Sequence, residues 1–186
     1  MSLTEAISNL KTEMKSAGIV QEDGLGTELF HFSSTLAPVV NVDLLITDEN
    51  NRVLMSWQED DYTESGWHVP GSCIRFQETL EEAIQRCARK EIGTEVEFSA
   101  EPIKVYEFHW NSFRTTITDQ RERAHFITLV YACHLPSDYA LNAHNQPEGQ
   151  AGYLRWFDDM PEDILPIQKC YRRDWEQLKN RIAEEK

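Results

Sequence analysis

Arg114, Arg121 and Arg123 fall within one short stretch of an otherwise acidic chain. Guanidinium groups grip phosphate oxygens through paired, charge-assisted hydrogen bonds, so this triplet is a candidate substrate-binding set for an anionic ligand. Residues able to move a proton are more scattered. Of the six histidines, His68 alternates with Trp67 and Val69 beside a Pro-Gly turn and is placed to face a site. His125 lies in a strand-like stretch and reads as a packed sheet residue, while His109, among aromatics, has a core role and stacking on a base as its two readings. His144 lies with Glu148 in a long loop from Pro136 to Gly152. An imidazole or a carboxylate can each deprotonate a water, so both are candidate general bases. Glu82 and Arg86 are four apart on one helical face, a pair worth about 0.3–0.5 kcal/mol by itself. Cys73, Cys87, Cys133 and Cys170 lack the close pairs of a zinc site and read as reduced thiols, which points to a cytoplasmic protein.

The elements that must hold these residues follow from periodicity. Leu3, Ile7, Leu10 and Met14 predict an amphipathic helix over 3–17, followed by a glycine-bearing linker to residue 27. LFHF and PVVNVDLLITD predict strands, and DENNR a turn into the returning strand RVLMSWQ. QEDDYTESG reads as an acidic loop, and WHVPGS as a short strand ending in a Pro-Gly turn. Leu80, Ala83, Ile84, Cys87, Ala88 and Ile92 form the apolar face of the clearest helix, which Gly93 stops. EVEF, KVYEFHWNSF, HFITLVYACHL and YLRWFD are further strands. A last helix carries Ile167, Tyr171, Trp175, Leu178 and Ile182 on one face. The expected order is α-β-β-β-α-β-β-β-β-α, an α+β fold with a mixed β-sheet and helices packed on it.

At 186 residues the chain is one domain with room for a short extra element, divided here as 1–27 and 28–186. The formal net charge of −14 argues against a bulk basic surface for nucleic acid or anionic membrane. An anionic small molecule stays compatible if a cation or local arginines offset the field. No apolar run is long enough to span a bilayer, and the first residues lack a signal-type apolar core.

The stretch GWHVPGSCIRFQETLEEAIQRCARKEIGTEV resembles the Nudix box. In that pattern a glycine is followed after five residues by glutamate, and after seven more by Arg-Glu-apolar-x-Glu-Glu-x-Gly. Ser72 takes the first glycine position; Glu78, Arg86, Ala88, Glu91 and Gly93 match theirs. The resemblance implies the Nudix fold, an α/β/α sandwich, and hydrolysis of a nucleoside diphosphate linked to another group. It also implies that Glu78 and Arg86 brace the loop against the helix, and Arg86 is carried as a candidate catalytic residue with Glu91.

Cys87 and Lys90 replace two of the three clustered glutamates. Positions 87 and 91 lie about 40° apart on a helix, so two carboxylates there would make a platform for Mg²⁺, which wants oxygen. Cys87 halves that platform, and Lys90 adds a competing positive charge. A similar thinning marks the GDP-mannose hydrolase branch, which this chain further resembles around WHVPGS. That likeness implies Mg²⁺ (or Mn²⁺) held by Gly71, Glu91 and Gln150, with Asp43 as a substrate-binding residue. The branch histidine after the glutamine is Ala151 here, so its base does not carry over; three further polar positions are Cys73, Gln58 and Phe126. A nucleotide sugar is the expected substrate. A weak or inactive nucleotide-binding module and a conventional pyrophosphohydrolase are the rival readings. The N-terminal helix and HFSSTLAPVV are candidate surfaces for a homodimer contact.

Overall fold

The structure, a computed structural model, describes residues 1–60, 63–109, 125–141 and 145–185. Strand β1 (Val39–Ile46) is its centre. Apolar residues on both sides of this strand let it be buried on both faces. Val42, Leu44 and Ile46 pack toward helix α3 (Leu80–Glu91), while Leu45 joins the core beneath helix α4 (Lys169–Glu184). The result is a three-layer sandwich, helix on sheet on helix.

Strand β1 runs parallel to β7 (His125–His134) and antiparallel to the short edge strand β4 (Gly71–Cys73). Strands β5 (Glu97–Phe98) and β6 (Lys104–His109) both pair with the far side of β7. The sheet is therefore mixed. A second, antiparallel sheet has the order β3 (Thr63–His68), β2 (Val53–Asp60), β8 (Leu154–Phe157).

Helix α3 begins at a capping box. The Thr79 hydroxyl accepts from Glu82 N, and Glu82 accepts from Thr79 N at 2.8 Å. Glu82 is thereby committed to the cap rather than to Arg86. The helix buries Ala83, Ile84, Cys87 and Ala88, and Gly93, at φ 82°, ends it in the left-handed conformation that favours glycine. Helix α4 buries Tyr171, Trp175, Leu178 and Ile182; Ile167, expected on the same face, lies instead in the short turn Pro166–Gln168 before the helix and is half-buried.

Three further expectations change. QEDDYTESG is not a loop throughout: residues 58–60 finish β2 and residues 63–66 begin β3, paired antiparallel. LFHF is not a strand: it lies inside helix α2 (Gly26–Ser34), which straddles the expected division after residue 27. The hydroxyls of Ser33, Ser34 and Thr35 donate to the carbonyls of Phe30, His31 and Phe32 at 2.7–2.9 Å, satisfying the groups a helix end leaves open. The Pro-Gly turn also continues into a paired strand, β4, rather than ending in a loop. The first helix, α1 (Leu3–Ser16), forms as expected behind a Ser2–Glu5 capping box but buries no residue.

Candidate active site

A cavity of about 350 Å³ opens where β1, β4, the end of α3 and the start of α4 meet. Asp43 and Gly71 are paired across β1 and β4, and both line it. Glu91 and Lys90 enter from the last turn of α3. Ser56, Trp57, Gln58 and His68 come from the second sheet. Phe108, Phe126 and Thr128 come from β6 and β7.

Asp43 is only 5 % exposed. Burial pushes its carboxyl up to about 7, against the pull of the Tyr171 hydroxyl. Tyr171 donates to Oδ2 at 2.6 Å, and Gln168 Nε2 approaches the same oxygen at 3.4 Å. The other oxygen, Oδ1, lies 2.2 Å from where a Cβ on Gly71 would stand. Only glycine fits at position 71.

The loop around Gly71 is held from two directions. Arg86 donates to Glu78 Oε1 at 2.6 Å and Oε2 at 2.9 Å, to Ser72 Oγ at 2.9 Å and to the Cys73 carbonyl at 2.8 Å. Glu78 also accepts from Arg75 N at 2.8 Å. The Arg86 guanidinium holds the Glu78 carboxyl below its usual range. On the other side, Val69 N donates to Gln168 Oε1 at 2.6 Å, and Gln168 Nε2 donates back to the Val69 carbonyl at 3.3 Å.

Among the residues expected from sequence, Gly71, Glu91 and Asp43 share the cavity, and Arg86 stands behind its wall in contact with Ser72 and Cys73. Lys90 Nζ sits 3.2 Å from Glu91 Oε1, the competing charge foreseen for that position. Gln150 and Glu148 are exposed on a turn in which Tyr153 N donates to the Gln150 carbonyl at 3.0 Å; their neighbours Ala151 and Gly152 line the cavity. His144, Arg114, Arg121 and Arg123 lie outside the described residues. Among the described residues, no three His, Cys, Asp or Glu side chains gather as a metal site by themselves.

Sequence reasoning missed Gln168 and placed Tyr171 only in the helix core. A signal existed for Tyr171: a phenol in the middle of an apolar stripe needs a buried hydrogen-bond partner. Asp43 in an otherwise apolar strand offered one. Nothing local marks Gln168.

The α/β/α sandwich with its arginine-braced loop is joined by a match of residues 37–172 to the NUDIX domain family. The chain belongs to that family. It is a Nudix hydrolase, of the class that acts on nucleoside diphosphate derivatives. It is 25 % identical over 134 residues to the low-salt glycan biosynthesis protein Agl8 of Haloferax volcanii, covering 72 % of this chain and 80 % of the relative. Its fold is similar to a solved UDP-X diphosphatase, with TM-score 0.54, 16 % identity and coverage of 97 % and 80 % of the two chains. It is also similar to a MutT Nudix hydrolase from Burkholderia pseudomallei, with TM-score 0.52, 21 % identity and coverage of 76 % and 98 %. Among the described residues no helix is long and apolar enough to cross a membrane.

Proposed function

We propose that the chain is a Mg²⁺-dependent hydrolase of a nucleotide sugar. The observation that carries this is the convergence of Gly71, Glu91 and Asp43 on one cavity of about 350 Å³ whose walls, apart from Lys90 beside Glu91, are mainly hydrogen-bonding and aromatic. A cavity of that size falls in the range of small-molecule sites.

The donor chemistry fits magnesium. Gly71 and Glu91 offer oxygen alone, the ligand type a hard cation selects. The absence of a side chain at Gly71 lets the Asp43 carboxylate stand directly against the strand, 2.2 Å from where a Cβ would be. Gln150, one residue before the lining Ala151, remains the third proposed ligand. Magnesium bound there would polarise phosphoryl oxygens, lower the pKa of a water and offset the leaving group's charge.

The protein's own residues do the rest. Arg86 keeps Ser72 and Cys73 in place, and Glu78 neutralises the arginine. Trp57, Phe108 and Phe126 give apolar faces on which a sugar or base can rest. Gln58 and Thr128 offer uncharged polar groups to its hydroxyls. The proton-accepting groups on the cavity wall are Asp43, His68 and Glu91; Glu148 and His144 remain candidate bases from the long loop. Arg114, Arg121 and Arg123 are proposed as the phosphate contacts. The Haloferax relative's name places it in glycan biosynthesis, and nucleotide sugars are what such syntheses consume.

The test is incubation with Mg²⁺ and a panel of nucleotide sugars and dinucleotides in ¹⁸O water, with products read by mass spectrometry. Label in a free sugar beside an unlabelled nucleoside diphosphate means attack at the sugar carbon. Label in a phosphate means attack at phosphorus. Turnover of dinucleotides alone would overturn the nucleotide-sugar assignment, and binding without turnover would return the chain to the binding-module reading.

A further inference from the structure

The cavity's two sides are not held by the same part of the chain. One side is local. Arg86 reaches Ser72 and Cys73 from a helix that follows them closely. The other side is distant. Gln168 lies 99 residues beyond Val69, in the short turn that leads into α4.

The geometry at Gln168 is that of a clamp. Its amide oxygen accepts from Val69 N and its amide nitrogen donates to the Val69 carbonyl, so the side chain pairs with both backbone groups of Val69 as a strand neighbour would. Val69 stands two residues before Gly71. The same nitrogen reaches Asp43 Oδ2, and Tyr171, three residues on, donates to that oxygen at 2.6 Å. Both donors act on Oδ2. The carboxylate is thereby turned with Oδ1 against Gly71, 2.2 Å from where a Cβ there would stand.

We infer that Gln168 and Tyr171 are positioning residues for the site: Gln168 fixes the backbone leading into Gly71, and the two together aim Asp43 Oδ1 at the place where the cation and substrate meet. Neither is a catalytic residue. Each acts through another group, in the way outer groups orient the atoms that bind a metal. This rests on the metal reading of Gly71 given above, and the test separates the two.

Gln168→Met keeps the side chain's length and removes all three hydrogen bonds. Tyr171→Phe removes only the hydroxyl. Mg²⁺ binding to the unliganded protein is measured by calorimetry, and amide hydrogen exchange at Val69 and Gly71 by NMR. The expected result is Mg²⁺ affinity weakened roughly 10-fold or more in each variant, the usual cost of losing such a partner. Exchange at Val69 should quicken at least about 10-fold in Gln168→Met, because that amide loses its acceptor. The Tyr171→Phe variant should leave exchange at Val69 unchanged, which separates the carboxylate's brace from the backbone's. Lower melting temperatures with Mg²⁺ affinity and Val69 exchange both unchanged would overturn the inference, leaving both residues as packing only. If the wild-type protein binds no Mg²⁺ yet Val69 exchange quickens in Gln168→Met, the metal reading falls and the clamp stands. If exchange stays at the wild-type rate, the clamp falls whatever the metal does.

Discussion

The loop around Gly71 has two braces that differ in kind. The Arg86 brace is ionic: a guanidinium shares its donors among a carboxylate, a hydroxyl and a carbonyl, with both charged side chains mostly buried. The Gln168 brace is neutral where it grips the loop, and its neighbouring carboxyl, Asp43, is pushed upward by burial rather than held down by a cation. A charge can be kept in a wall when its partner sits beside it. A carboxyl without a cationic partner keeps its proton more tightly and becomes responsive to whatever cation arrives. The first brace is built to hold shape, and the second borders the place where charge is exchanged.

The sharpest way to test that division is at Glu91, which lines the cavity. Glu91→Gln should remove Mg²⁺-dependent turnover altogether while circular dichroism and the melting curve stay near wild type. Retained turnover would remove Glu91 from the metal site. Next in size is Arg86→Leu, which leaves Glu78 as an unpaired, largely buried carboxylate. Its cost should be about 3 kcal/mol in denaturant titration, the usual loss on breaking one side of such a pair. A Glu78→Gln, Arg86→Leu double variant should recover part of it; strict additivity would mean that the two do not act as a unit.

The braces should also respond to pH with opposite signs. Asp43 has a folded-state pKa raised to about 7. Its contribution to stability is fully present at acid pH and is lost as pH rises through about 7. Measured without divalent cation, Asp43→Asn should flatten the decline in stability above the usual carboxylate range. An unchanged slope would mean that Asp43 ionises freely. Glu78 is depressed, so its contribution is present above the usual carboxylate range and lost as pH falls through its lowered value. Glu78→Gln should reduce acid sensitivity there, and this is the smallest of the four effects because several other carboxylates titrate alongside it.

The two braces were unequally legible. Glu78, Arg86, Glu91 and Gly93 stand within sixteen residues of one another, on one turn and one helix whose capping box and apolar steps are local signals. Spacing alone therefore suggests which of them face together, although it paired Arg86 with Glu82, which the cap had already claimed. The helices α1 and α4 show the limit of such reasoning. Both carry an apolar stripe at helical steps. In α4 it is buried, whereas Leu3 of α1 remains 77 % exposed. Periodicity says that a face exists and not what covers it. LFHF failed for a related reason: four residues without alternation carry no period, and the hydroxyls that close α2 lie just after them.

What the sequence determined by itself was the box, the helix that presents Glu91, and the family that these define. Each depends on contacts between residues near in the chain, where the backbone's own geometry sets distance. Tertiary structure alone decided that α4 returns over the sheet to deliver Gln168 and Tyr171 to Asp43. It also decided that Ala151 and Gly152, from the late loop, reach the cavity wall. Those pairings span roughly a hundred residues, and no local propensity encodes them. They form because the apolar face of α4 has its place against the sheet, and burying that stripe carries the polar residues at its leading end into the site.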